Sequence, residues 1–189
     1  MDWFSTIIGA VIGFISSIGI IIVQRIIDRA GNLEIYAKVV GDRLTGSYTW
    51  GFYRNTDGMF LIVPLWIEIQ NLSNSFRILR DINLLLFADG KELTTMVQSN
   101  RTESKSREVL LFANEGSYSL SLGGGEIKKL DCQFLLKASP DIPFFDEIVL
   151  RYYDEKNHAH MFSLGYVEGD WIEKEFPRNG EWIRLKEKK

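Results

Sequence analysis

The chain has 189 residues, 46% of them hydrophobic and 13% aromatic, and its 22 basic and 25 acidic side chains leave a net charge of −3. That length suits one domain with a single buried core, and without a basic excess a nucleic-acid partner is disfavoured. The one cysteine, Cys132, excludes a disulfide within the chain and a cysteine-based metal site.

Residues 3–23 carry no charge across 21 positions, enough for one helix to cross the roughly 30 Å hydrocarbon core of a bilayer. Trp3 and Phe4 at one end, and Arg25 and Arg29 at the other, suit the two membrane interfaces. A cleaved secretory signal is not expected, because the start is Met-Asp and Gln-Arg-Ile-Ile-Asp-Arg follows Val23. Ser5, Gly9, Gly13 and Ser17 recur every four residues, forming a stripe where a second helix backbone can approach closely in lipid. The expectation is a homo-oligomer. Arg25, Arg29 and Lys38 put positive charge after the helix, which predicts an inner (plasma) membrane protein with its N-terminus outside and its C-terminal domain in the cytoplasm. Gly31 suits the helix stop. The chain then divides into a membrane segment with its basic flank, residues 1–29, and a cytoplasmic all-β domain, residues 30–189, of which 170–189 resist assignment.

Beyond Gly31 the apolar period changes from helical to two. Leu33, Ile35, Ala37 and Val39 alternate with Glu34, Tyr36 and Lys38, as in a strand with one buried face. An aromatic stretch, Tyr48, Trp50, Phe52 and Tyr53, mixes both strand faces, so part of it points away from the core and forms a candidate partner surface. Asn55-Thr56-Asp57-Gly58 signals a turn before the run 59–70, in which Leu65, Ile67 and Ile69 face one way. Pro64 within that run predicts an edge position or a bulge.

Ile82, Leu84 and Leu86 begin a strand that ends at Asp89-Gly90, with residues 92–98 as its hairpin partner. Residues 99–108 read as a mobile loop, and the apolar run 109–112 resumes the sheet. Tyr118, Leu120 and Leu122 alternate with serines, and Gly123-Gly124-Gly125 then reads as a flexible connection. A phosphate cradle is disfavoured there because no helix follows the glycines. Leu130, Cys132, Phe134 and Leu136 share one strand face, which makes Cys132 a buried thiol. Residues 148–153 and 160–164 form a hairpin, and the charged residues 186–189 are expected to fray.

Eight to ten short strands with no further helix predict an antiparallel sandwich, immunoglobulin-like in rhythm, or a barrel. Asn71-Leu72-Ser73 and Asn100-Arg101-Thr102 match the glycosylation acceptor pattern, which the cytoplasmic orientation leaves unused. His158 and His160, near Asp154, point the same way but lack a firm third metal ligand. The adjacent pairs Asp146-Glu147 and Asp154-Glu155 read as solvated turns and strand ends, and no serine sits in a GxSxG elbow. The sequence therefore predicts no enzyme, no cofactor and no metal. It predicts a protein-interaction module held at the membrane with a protein partner on the cytoplasmic face. The alternative is a membrane effector, such as those of bacterial defence, in which the β domain senses a ligand or partner and clustered helices perturb the bilayer.

Overall fold

The computed structural model describes residues 3–29, 31–40, 51–55, 58–100, 110–111, 118–139, 144–167 and 181–188. Helix α1, Trp3–Arg29, takes in the whole uncharged run and its basic flank. Gly31 follows at φ +139°, a conformation that side chains with a Cβ rarely adopt, and strand β1, Leu33–Val39, starts two residues later.

Antiparallel strands in two sheets make up the rest of the described chain. The first sheet contains β1, β2 (Gly51–Asn55), β3 (Gly58–Asn71), β6 (Val97–Asn100), β7 (Leu110–Leu111), β9 (Ile127–Lys137) and β12 (Ile183–Arg184). Its order is β12-β1-β3-β9-β6-β7, with β2 also beside β3. The second contains β4 (Arg77–Ala88), β5 (Lys91–Thr95), β8 (Tyr118–Leu122), β10 (Glu147–Tyr153), β11 (Ala159–Tyr166) and β13 (Lys186–Glu187), in the order β13-β11-β10-β4-β5, with β8 also on β4.

Period-two alternation fills the space between the layers. Ile35, Ala37 and Val39 of β1, Leu61 to Ile69 at every second position of β3, and Cys132 and Phe134 of β9 face Leu79, Ile82, Leu84 and Leu86 of β4 and Ile148 and Leu150 of β10, all buried. Leu85, Phe87 and Val149 are buried on the opposite face of the second sheet, with Met161 packed against them.

The result is a sandwich and not a closed barrel, so the barrel alternative falls away. The layers are joined where the chain changes sheet. At Met96, between β5 and β6, the side chain is buried and its N–H donates to Leu84 O at 2.8 Å. At Leu185, between β12 and β13, the N–H donates to Ile35 O at 2.8 Å, and Lys188 N donates to Met161 O at 2.7 Å. The crossing at Met96 divides the single hairpin partner expected over 92–98 into two strands, and the thirteen strands of the described residues exceed the eight to ten expected.

Two further expectations are corrected. Pro64 lies neither at an edge nor in a bulge: β3 is internal and pairs with β9 in unbroken register through Pro64↔Gln133. Its carbonyl accepts from Val40 N at 3.1 Å, so its nitrogen faces the same side, between the Val39↔Leu65 pair of β1 and the Gly51↔Ile62 pair of β2. The missing N–H thus falls between the ladders of two successive partners. Nor does the described C-terminal segment fray. Lys186–Glu187 is a strand, and Lys188 Nζ donates to the buried carboxylate of Glu147 at 2.5 Å. Glu147, read from sequence as strand-end solvation, is in fact 3% exposed and also accepts from Ser163 Oγ at 2.6 Å.

Candidate functional site

Within α1 the segment Ile7–Asp28 has a mean hydropathy of 2.4 and none of it is buried against the rest of the chain. It is long and apolar enough to cross a membrane, and the outward display of residues such as Ile12, Phe14, Ile15 and Ile20 calls for an apolar surrounding. Trp3 and Phe4, both exposed, stand edge to face with centroids 6.3 Å apart. Arg25 is exposed on the helix, and Arg29 ends it.

The small-residue stripe is open. A Cβ added at Gly9 or Gly13 would meet nothing within 4 Å. Ser17 Oγ donates to Gly13 O at 2.8 Å, which satisfies the hydroxyl inside its own helix and leaves a low, smooth surface there. The side chain of Ser5 lies outside the described residues, as do Tyr48, Trp50 and the side chains of Phe52 and Tyr53.

The helix enters the sandwich through a close-packed joint. A Cβ on Gly31 would lie 2.6 Å from Ser73 Cα, and one on Gly124 would lie 2.4 Å from Asn74 O, so both positions require glycine for close backbone approach. Asn71, buried, holds the joint together: its Nδ2 donates to Ser75 O and Gly123 O, both at 2.8 Å, and its Oδ1 accepts from Ser73 N at 3.1 Å and Ser73 Oγ at 2.7 Å. Gly125 N donates to Asn71 O and Ser73 O, each at 3.0 Å, and Gly123 N donates to Glu126 Oε2 at 2.6 Å. The triple glycine is therefore a clamped turn rather than a flexible connection, with the amides of Gly123 and Gly125 already committed. Leu72 N donates to Asn32 O at 3.2 Å, and Arg77 Nη2 to Gly31 O at 3.3 Å. Sequence reading missed this joint because its two halves, the Asn71 turn and the glycines, are 52 residues apart.

A cleft of about 640 Å³ opens next to the joint, between the start of β1, the start of β4, the β10–β11 turn and β12–β13. His160 stacks on Tyr152 with centroids 4.9 Å apart. Its Nδ1 lies 2.6 Å from Glu187 Oε1 and its Nε2 lies 3.3 Å from Asp154 Oδ2, which is also 3.4 Å from His158 Nδ1. The two histidines do face the same carboxylate, but among the described residues no group of three or more His, Cys, Asp or Glu forms a metal-holding cluster. Desolvation raises the pKa of Asp154, but hydrogen bonds from His158 N, the His160 ring and Lys156 N outweigh it and bring the carboxyl down to about 2. Burial, and then the charges of Glu187 and Asp154, push the Tyr152 phenol up. Across the cleft Arg184 Nη2 pairs with Glu34 Oε1 at 2.5 Å, and Tyr36 OH donates to Glu34 Oε2 at 2.7 Å. Two sets of acids and bases, His158 and His160 with Asp154 and Glu187 and Arg184 with Glu34, thus face each other across the cleft.

On the outer face of the first sheet, Lys129 Nζ sits 3.8 Å from the centroid of Trp66 and 5.4 Å from that of Trp182, and Lys38 Nζ lies 5.8 Å from Trp66. The signal for this patch was present in the alternation, since Trp66 lies between the inward-facing Leu65 and Ile67. No known protein family matches the chain, and no curated protein matches it in sequence.

Proposed function

We propose that the chain is a single-pass inner-membrane protein whose cytoplasmic β-sandwich docks a protein partner, with self-association of the helices through Ser5, Gly9, Gly13 and Ser17. The observation that carries this reading is an apolar helix with no cover from its own chain, tied to the sandwich by three residues between Arg29 and Leu33. The cytoplasmic orientation rests on Arg25, Arg29 and Lys38 following the helix. The immunoglobulin-like comparison is kept for the layering alone and carries no function. The face around Trp66 and Trp182, with Lys38 and Lys129, joins the stretch Tyr48, Trp50, Phe52 and Tyr53 as a place for a partner with acidic and aromatic side chains.

The second reading, an effector whose domain drives clustered helices, is favoured by the glycine joint, because a rigid joint passes a movement of the sandwich to the helix. Gly9→Ile and Gly13→Ile separate the stripe from the fold, since the added side chains meet nothing in their own chain. Cross-linking in membranes should lose the oligomer in both variants, and an unchanged oligomer sinks the stripe as an assembly surface. Protease digestion from the outer side of the membrane would overturn the orientation. A partner that co-purifies with the parent chain but not with Trp66→Ala supports docking, and oligomers that permeabilise vesicles without a partner support the effector.

A further inference from the structure

The turn that locks the joint also presents apolar side chains outward. From Asn71 to Phe76 the chain alternates, with Asn71 and Ser73 buried and Leu72, Asn74 and Phe76 exposed. Leu72 is 56% and Phe76 59% exposed. Turns favour polar residues at such positions, and the hydrogen bonds of Asn71 hold this one with Leu72 and Phe76 outward. The turn also lies beside the membrane segment, because Asn74 borders a groove of about 670 Å³ together with Gly19, Ile20, Val23 and Ile27. Asn74, between Leu72 and Phe76, therefore lies beside the apolar part of the helix as well as its charged end at Asp28. We propose that this turn is a second, peripheral membrane anchor, in which Leu72 and Phe76 enter the interfacial zone of the bilayer that α1 crosses. The inference rests on the membrane reading of the helix. The occupant is the bilayer rather than a second copy of the chain, because two apolar side chains flanking Asn74 form a far smaller patch than the roughly 800 Å² per partner of a stable interface. A wedge of that size suits headgroup-level insertion beside an existing span. With the joint locked, such a contact sets the tilt of the whole sandwich on the membrane.

The test uses the full chain in phosphatidylethanolamine–phosphatidylglycerol vesicles containing brominated acyl chains, with an environment-sensitive fluorophore on Leu72→Cys or Phe76→Cys. Ile15→Cys in the helix and Lys91→Cys at the start of β5, beyond the end of β4 remote from Phe76, serve as lipid and water references, and the buried native Cys132 stays unlabelled. Probes at 72 and 76 should shift to the blue and lose emission to brominated lipid, as the probe at 15 does, while the probe at 91 is quenched by iodide alone. If 72 and 76 behave like 91 while 15 behaves as a lipid probe, the anchor is refuted and the membrane helix stands. Shielding from both quenchers that disappears in Gly13→Ile assigns the patch to a second copy and also refutes the anchor. A probe at 15 that brominated lipid does not quench overturns the membrane reading and the anchor with it.

Discussion

Replacing Lys188 by methionine tests whether a buried ion pair holds the C-terminal segment to the second sheet. Glu147 is 3% exposed and its carboxylate has two partners, Lys188 Nζ at 2.5 Å and Ser163 Oγ at 2.6 Å. Breaking a fully buried ion pair costs roughly 3–5 kcal/mol, mostly because the remaining charge is stranded. The cost here is smaller, because Ser163 remains and Lys188 is 32% exposed, so water reaches the vacated side. That leaves about 2–3 kcal/mol, and at about 2–4 °C per kcal/mol for a domain of this size Tm should fall by about 4–12 °C. Adding Glu147→Gln removes the stranded charge, and the double variant should recover to within about 1 kcal/mol of the parent. Differential scanning fluorimetry in detergent measures all of these variants. A Lys188→Met chain that melts with the parent, or a double variant as unstable as Lys188→Met, would refute the buried pair and restore a frayed tail.

Gly124→Ala, whose Cβ meets Asn74 backbone at 2.4 Å, should cost about 1–3 kcal/mol, whereas Gly123→Ala, whose nearest contact is the end of the Glu126 side chain at 3.5 Å, should melt close to the parent. Equal melting of the two would mean that the joint is not close-packed. Asp154 has its carboxyl held down to about 2 in the folded chain against an ordinary value of 3.8, so its contribution to stability is present above about pH 4 and is lost as pH falls through 2. Asp154→Asn should therefore be less stable than the parent at pH 7, with the gap closing in acid, and a gap that holds constant from pH 7 to 2 would contradict the hydrogen-bonded carboxylate.

Local pattern determined a good deal by itself. The uncharged run 3–23 required one exposed apolar helix, and the alternation at Leu33–Val39, the turn at Asp89-Gly90 and the inward Cys132 required strands with one face in a core. These depend on spacing within a few residues, which is fixed before any sheet forms. Sandwich or barrel is not legible in the sequence because closure depends on which strands become neighbours, and crossings between the sheets, such as those at Met96 and Leu185, decide that. Pro64 read as an edge signal, yet the chain places it inside a sheet because its nitrogen falls between two partners, which no local pattern encodes. The joint and the Glu147–Lys188 pair were likewise invisible, since Asn71 is 52 residues from Gly123 and Glu147 is 41 from Lys188. Contacts over such separations form only once the layers have packed, and they convert a glycine run and a charged tail into the parts that fix the helix to the sandwich and the chain's last strand to the second sheet.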